Sequence, residues 1–293
     1  MPFRPKVSII VVTWNVSSFL EGCLRAITPA LGSNAGEIIV VDNASNDGTL
    51  GLARTLATKL PNLTILPLEQ NYGFAYANNF ALQRAMGEYV LLLNPDTELY
   101  PSAIATLVAC ARQHGAAIVG AHHHNADGTT QPSVRRDPTL AAMVWLLLKA
   151  NHYFPRFPSW LRYLAADFDY GKTQAVEQVA GSCLLISREA VNKIGQLDIR
   201  FYLWFEEVDW CTRAQKLGLT VWYCSEALVK HSGAQSFRQL PTVSRQRQFN
   251  RSLRRYFRKH RGFLPWLVLT AISPLSLLLA TLSRMLRLRA GRE

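Results

Sequence analysis

The apolar run Tyr89-Val90-Leu91-Leu92-Leu93 breaks without a spacer into Asn94-Pro95-Asp96-Thr97-Glu98. Five consecutive apolar residues cannot turn a polar face to water. As a strand they belong in a sheet covered on both sides, and the Asn-Pro pair ends the strand at once. Open α/β sheets bind ligands beyond the carboxyl ends of such strands, and Asp96 falls at that position. An acid there has two readings: an oxygen ligand for a divalent cation, or a turn residue capping the helix that begins near Pro101.

The same pattern recurs along the chain. Val7 to Val12, Glu37 to Val41 and Leu63 to Leu68 read as further strands. Between them lie segments of helical spacing: Phe19, Leu20, Cys23, Leu24 and Ile27, then Leu52, Leu56 and Leu60, then Ala75 to Met86. Regular alternation of this kind predicts a doubly wound α/β sheet with flanking helices. Ile104 to His114 continues as helix and Ala116 to Ala121 as strand, and Asn125-Ala126-Asp127-Gly128-Thr129 signals a hairpin turn. Residues 139–175, rich in aromatics and proline, fit no period and read as a variable insertion facing the acceptor. Regular signals return with a strand from Val176 to Ser187 interrupted at Gly181-Ser182, a helix from Phe205 to Leu217, and strands near Thr220 to Cys224 and Ala227 to Lys230. The expected organisation is a core domain over 1–235 and a tail over 236–293.

Hydrophobic residues make up 49% of the 293, enough to exclude general disorder. Cys23, Cys110, Cys183, Cys211 and Cys224 are odd in number and lack C-x-x-C spacing, which argues against a disulfide framework or a zinc site and for a reducing, cytosolic setting. The N-terminal residues carry no signal-peptide pattern. The net charge of +12 is concentrated in residues 245–293, with eleven arginines and one lysine against the single acid Glu293. The rest is close to neutral, with 20 basic and 19 acidic side chains. A tail of that charge attracts phosphate-rich surfaces, either nucleic acid or anionic lipid.

Four constellations carry candidate chemistry. Thr13-Trp14-Asn15 and Asp42-Asn43-Ala44-Ser45-Asn46 end the first two strands, so they belong side by side at one sheet edge. Asp42 can accept the imide N–H of a pyrimidine base, or it can simply hold an Asx-rich turn. In Asn71-Tyr72-Gly73-Phe74, Gly73 allows close backbone approach at a helix start, and the amides of Asn78 and Asn79 follow one turn later. Asn94 and Asp96 form the third. The fourth is Phe205-Glu206-Glu207-Val208-Asp209, where three carboxylates among aromatic residues repel one another unless a cation, an arginine or a substrate proton relieves them. Asp209 can pair with Arg213. His231 lies at the end of the last strand.

Together these segments resemble the inverting, GT-A-fold glycosyltransferases of family 2, most closely the rhamnosyltransferase-like branch that builds bacterial surface polysaccharides. The resemblance runs from Val7 to about Gly233 through six pieces in order: VSIIVVTWN, VDNASNDGT, NYGFAYANN, LNPD, GSCLLISR and FEEVDWC. It implies a GT-A mixed sheet and a pyrimidine nucleoside diphosphate sugar as donor, dTDP-rhamnose or a UDP-sugar. Donor contacts would come from Thr13, Asn15, Asp42, Asn43, Asn71, Gly73, Asn78 and Asn94. It also implies a divalent cation, Mg2+ or Mn2+, held by Asp96 with His231 as a second ligand. Asn94 stands where many members have the first acid of a D-x-D-type motif. Glu207 takes the place of the catalytic base, usually Asp, with Glu206 as the alternative. The acceptor would be a lipid-linked glycan or polysaccharide. A nucleotidyltransferase and a catalytically inactive membrane-associated scaffold are the alternatives; the first would want a Gly-rich basic loop where Trp14-Asn15-Val16-Ser17 stands.

The tail decides between nucleic acid and lipid. Phe249, Leu253, Tyr256, Phe257 and His260 form one helical stripe, with Arg247, Arg251, Arg254 and Arg258 opposite, and this predicts a helix lying apolar side down in a lipid interface. Phe263 to Leu282 follows, twenty residues without a charge. Such a run can span a hydrocarbon core of ~30 Å, whereas Pro265 and Pro274 favour a kinked or re-entrant segment. The expectation is membrane lipid rather than nucleic acid as partner, at the cytoplasmic face of a bacterial inner membrane, peripheral or through a single hydrophobic anchor.

Overall fold

A computed structural model describes residues 6–233, 239 and 241–290, with side chains as far as 283. The domain boundary expected at 235/236 and the side chains of Arg284, Arg287 and Arg289 lie outside the described residues.

The first half alternates as its spacing predicts: β1 (Val7–Thr13), α1 (Ser17–Leu31), β2 (Gly36–Asp42), α2 (Thr49–Ala57), β3 (Leu63–Pro67), α3 (Phe74–Leu82) and β4 (Tyr89–Leu93). Next come β5 (Thr97–Leu99), α4 (Ala103–His114) and β6 (Ile118–His124). Two short strands, β7 (Thr130–Gln131) and β8 (Val134–Arg135), lead to α5 (Leu140–Leu147) and α6 (Pro158–Tyr163). The core closes with β9 (Gln174–Ala175), β10 (Gln178–Val179), β11 (Cys183–Ser187), α7 (Arg188–Ile194), α8 (Glu206–Lys216) and β12 (Val221–His231). Two long helices complete the chain, α9 (Thr242–His260) and α10 (Phe263–Ala290).

The main sheet has the order β3-β2-β1-β4-β11-β6-β12-β5. The first four strands are parallel. β11 runs antiparallel to both β4 and β6, and β6 and β12 are parallel to each other. The sheet is therefore mixed. The strands expected at 220–224 and 227–230 are one strand whose register shifts between Cys224 and Leu228.

Burial on both faces explains the unbroken apolar runs. In β1, Val7, Ile9 and Val11 point into a core built with α1, α2 and α4, while Ile10 and Val12 point into a second core built with α3, α7 and α8. The insertion is helical. Leu-Ala-Ala-Met-Val-Trp-Leu-Leu in α5 contains no polar residue, so an amphipathic period could not reveal it as a helix. Thr139 caps it by accepting a hydrogen bond from Ala142 N at 3.2 Å.

One expectation is overturned. The apolar stripe of α9 does not face lipid: Leu253, Tyr256 and Phe257 are buried in a third core with Ala142, Met143 and Leu147 of α5, Phe201, Phe205 and Val208, and Leu269 of α10. An amphipathic helix buries its apolar face wherever apolar surface is offered, and here the insertion and the 201–208 segment offer it. Polar contacts fix the same face. Ser252 Oγ donates to Leu203 O at 2.7 Å, and the Tyr256 and Thr212 hydroxyls lie 2.9 Å apart.

Candidate active site

The register of the sheet gathers the polar strand ends. Thr13 pairs laterally with Asp42, Val11 with Leu93, and Leu93 with Cys183 of antiparallel β11, so the turns at 13–15, 42–47 and 94–96 meet Gly181-Ser182 at one edge. His231 pairs with Thr97, and His123 lies opposite Val229.

Asp42 is 1% exposed. Its Oδ1 accepts from Thr13 Oγ1 at 3.1 Å and its Oδ2 from Ser45 N at 3.0 Å, which leaves a lone pair on each oxygen for a further donor. Asn78 donates from Nδ2 to Phe74 O at 2.9 Å, while its buried Oδ1 has no hydrogen-bond partner among the described residues. These two residues retain acceptor capacity toward a ligand.

Other expected donor contacts are occupied in holding loops. Asn15 Oδ1 accepts from Asn46 N at 2.8 Å. Asn43 donates to Asn71 Oδ1 at 3.0 Å and accepts from Tyr72 N at 2.9 Å, and Asn71 Oδ1 also accepts from Gly73 N at 2.9 Å. Asn79, noted beside Asn78 in the sequence, is bound on both sides of its amide to the backbone of Leu197, at 2.8 and 3.0 Å. Asn94 takes part through its backbone: its N–H donates to Ser182 O at 2.9 Å and its carbonyl accepts from Thr97 N at 3.1 Å.

Gly73 has the role its residue type demands. At φ 88° it allows Phe74 N to donate to Tyr202 O at 3.0 Å, and a Cβ there would sit 2.5 Å from that carbonyl. The start of α3 is thus clamped to the segment leading into α8.

Asp96 is 7% exposed and receives Ser232 N on its backbone carbonyl at 3.0 Å. His231 Nδ1 lies 2.7 Å from Gln131 Oε1, an acceptor, so Nδ1 carries a proton. The buried Nε2 of His231 has no hydrogen-bond partner among the described residues and lies 3.4 Å from Asp96 Oδ1. A ring nitrogen and a carboxylate oxygen converging in this way are of the types that can share a cation. The pair therefore fits a divalent cation, with the remaining ligands coming from elsewhere, since the described residues contain no group of three or more ligating side chains.

Across Gly181-Ser182 lies the acidic cluster. Trp204 and Phe205 both hold positive φ, 65° and 72°, immediately before α8, a sparsely populated conformation for bulky residues. The turn they make buries Glu206 to 5% exposure, with its Oε2 lacking a partner among the described residues, and leaves Glu207 half-buried against Gly181. Glu207 opens into a cavity of about 170 Å³ also lined by Arg135, Tyr163, Gln178 and Ala180. Burial raises the pKa of Glu207, and burial together with the Glu207 charge raises that of Glu206 well above the carboxylate range. Glu207 lines this cavity, whereas Glu206 is 5% exposed. Asp209 is spent: fully buried, it accepts from Arg213 Nε at 2.8 Å, Lys259 Nζ at 2.6 Å and His260 Nε2 at 2.7 Å, and these partners lower its pKa against the effect of burial.

Sequence reasoning passed over Tyr163, Arg135, His123 and Ser182. His123 Nδ1 lies 3.0 Å from Ala121 O and its Nε2 2.7 Å from Ser182 Oγ, so the serine hydroxyl donates to a neutral ring. Burial, then the neighbouring His231, pushes its pKa down to about 3. The run His122-His123-His124 was visible in the sequence; that its middle ring turns inward follows from strand alternation once β6 is known to reach His124.

Over 242 residues the chain is 28% identical to the N-acetylglucosaminyl-diphospho-decaprenol L-rhamnosyltransferase of Mycobacterium tuberculosis, covering 78% of this chain and 76% of that protein. It is 24% identical over 222 residues to the low-salt glycan biosynthesis hexosyltransferase Agl10 of Haloferax volcanii, covering 74% of this chain and 64% of the relative. Among solved structures, the mannosyltransferase PcManGT from Pyrobaculum calidifontis in complex with GDP-Man and Mn2+ shares the fold with a TM-score of 0.56 at 19% identity, covering 99% of this chain and 77% of that one. Residues 8–195 match the sequence profile of glycosyl transferase family 2, and the chain belongs to that family of glycosyltransferases.

Proposed function

We propose that the protein transfers a sugar with inversion from a pyrimidine nucleoside diphosphate sugar, dTDP-rhamnose or a UDP-sugar, to a hydroxyl of a lipid-linked or polysaccharide acceptor. It does so at the cytoplasmic face of the membrane, in cell-surface glycan synthesis. The observation that carries the reading is the placement of Glu207, half-buried with a raised pKa at the wall of a cavity and separated from the Asn94–Asp96 turn only by Gly181-Ser182.

In this reading the donor base lies on Asp42, with Thr13 behind it, and the buried Oδ1 of Asn78 accepts from the base or ribose. Asp96 and His231 hold the cation; when bound, it offsets the negative charge that builds on the departing diphosphate. The acceptor hydroxyl enters the Glu207 cavity, where Arg135 and Tyr163 orient it and Glu207 takes its proton as it attacks the anomeric carbon. A carboxyl held partly desolvated is a stronger base than one in water, which suits this task. One displacement with one base inverts the anomeric centre. The Mycobacterium tuberculosis relative, whose name specifies a decaprenol diphosphate carrying N-acetylglucosamine, supports a polyprenyl-linked acceptor.

The test is to incubate purified protein with Mn2+, UDP- or dTDP-sugars and a polyprenyl-diphosphate N-acetylglucosamine. Nucleoside diphosphate release and the anomeric configuration of the product are then followed by NMR. Release with inversion is expected. Absence of release with every pyrimidine donor, or retention of configuration, overturns the reading.

A further inference from the structure

Two faces of α10 have opposite fates. Leu269, Ser273, Ser276 and Ala280, spaced four, three and four apart, are between 0 and 5% exposed, and Asn250 of α9 donates to Ser273 O at 3.3 Å. This is the seam of a helical hairpin running back along α9. About 200° round the helix, Leu264, Val268, Leu275, Leu278 and Leu282 are 40 to 73% exposed, an apolar stripe that the described residues leave uncovered.

A basic pocket opens beside the start of that stripe. Arg251, Arg254, Arg255 and Arg258 of α9 line a cavity of about 530 Å³ together with Trp266 of α10. The Arg258 guanidinium lies 5.4 Å from the Phe263 ring centroid and 5.9 Å from that of Trp266, so the charge and the apolar stripe are contiguous. Nearby acids are already engaged: Asp198 by Arg200 and Lys259, Asp209 by Arg213, Lys259 and His260. Burial and the neighbouring Arg251 and Arg200 depress the pKa of Arg255, the mark of mutual repulsion among these cations. Phosphate groups would relieve it.

We infer that α10 lies in the plane of an anionic phospholipid bilayer, its Leu264–Leu282 stripe in the acyl boundary and the arginine pocket of α9 on lipid phosphates, and that it does not cross. Phe263–Ser283 is long and apolar enough to span. Crossing, however, would strip the Leu269–Ala280 seam from α9 or drag α9 with it. The outward arginines of α9 are unfavourable at a bilayer centre. Lying flat leaves the hairpin intact and matches apolar stripe and positive rim to acyl chains and headgroups. The inference shares with the proposed function only the expectation of work at a membrane, and vesicle binding can succeed or fail whatever the sugar chemistry.

The test uses the full chain and vesicles of phosphatidylcholine with or without phosphatidylglycerol. Cosedimentation is expected with the anionic vesicles, to weaken with salt, and to be reversed by alkaline carbonate. Neutralising R251Q/R254Q/R258Q should weaken partitioning on the order of 100-fold, at about 1 kcal/mol per charge near an anionic surface. L264S/L275S/L278S should abolish it. Near-uniform binding to both vesicle types, or carbonate-resistant retention in cell membranes, overturns the inference. So does a pocket that takes up inorganic phosphate while the protein ignores vesicles. Should either variant fail to fold by near-ultraviolet circular dichroism, the wild-type lipid comparison and the carbonate extraction still decide.

Discussion

His231 Nε2 stands 3.4 Å from Asp96 Oδ1, and Gln131 Oε1 orients the ring by accepting from Nδ1 at 2.7 Å. The two groups are of the types that can share a cation. Asp96→Asn and His231→Ala are each expected to weaken Mn2+-dependent donor binding at least tenfold by calorimetry. Unchanged affinity in both variants would remove the metal role from this pair.

Glu207 lines a cavity whereas Glu206 is only 5% exposed, so the two should separate in kinetics. Glu207→Gln is expected to lower kcat by ~10²–10⁴-fold with donor affinity intact, as for loss of a positioned general base. Glu206→Gln should retain most of the activity. Reversal of that order would move the base to Glu206.

Their raised pKa values also govern pH behaviour. The acid limb of the rate profile should lie above the ordinary glutamate value, since Glu207 must be ionised to act. For stability the sign is opposite to that of a paired carboxylate. A carboxyl whose folded pKa is raised stabilises the fold below its unfolded pKa and loses that contribution as pH rises through the folded value. Glu206→Gln should therefore raise Tm near neutral pH, by on the order of 3 °C for a chain of this size, with the gain shrinking as pH falls toward 4.5. A constant gain across pH would place its origin elsewhere.

Asp209 behaves the other way. Its partners depress its pKa, so its contribution is present above the unfolded value of 3.8 and fades as pH falls through the lower folded value. Asp209→Asn leaves Arg213, Lys259 and His260 facing a neutral amide, and breaking such a buried network typically costs about 3–5 kcal/mol. Denaturant titration at neutral pH should show that loss, reduced below pH 3.

Gly73→Ala tests the clamp between the donor loop and the α8 entry. The added Cβ meets Tyr202 O at 2.5 Å at a residue already in the left-handed region. A destabilisation of roughly 1–3 kcal/mol is expected, together with a raised donor KM. An unaffected KM would show that the 71–74 turn holds the fold alone.

Much of this was legible in the residues. Unbroken apolar runs determined the buried strands, since no other regular structure hides every face of five to seven residues so economically. The turn residues after them, Asp42, Gly73, Asn94 and Asp96, pointed to one sheet edge, and the register brings the 42–47 and 94–96 turns together there. Asp209 and Arg213 read as a supporting pair at i,i+4, and the 2.8 Å contact agrees. What one-dimensional spacing cannot carry is which groups already have partners. Asn43, Asn71 and Asn79 look like free amides in sequence; in the fold Asn43 and Asn71 bond each other and the 72–73 backbone, and Asn79 is held by the backbone of Leu197. Glu206 and Glu207 are adjacent and alike, and only the strained turn at Trp204-Phe205 decides which meets the cavity. The amphipathic pattern of α9 fixed that one face must be buried, but not in what. Tertiary packing against Phe201, Phe205 and Val208 made the burial internal and passed the exposed apolar stripe to α10, because a hydrophobic face binds whichever apolar surface the rest of the chain brings to it.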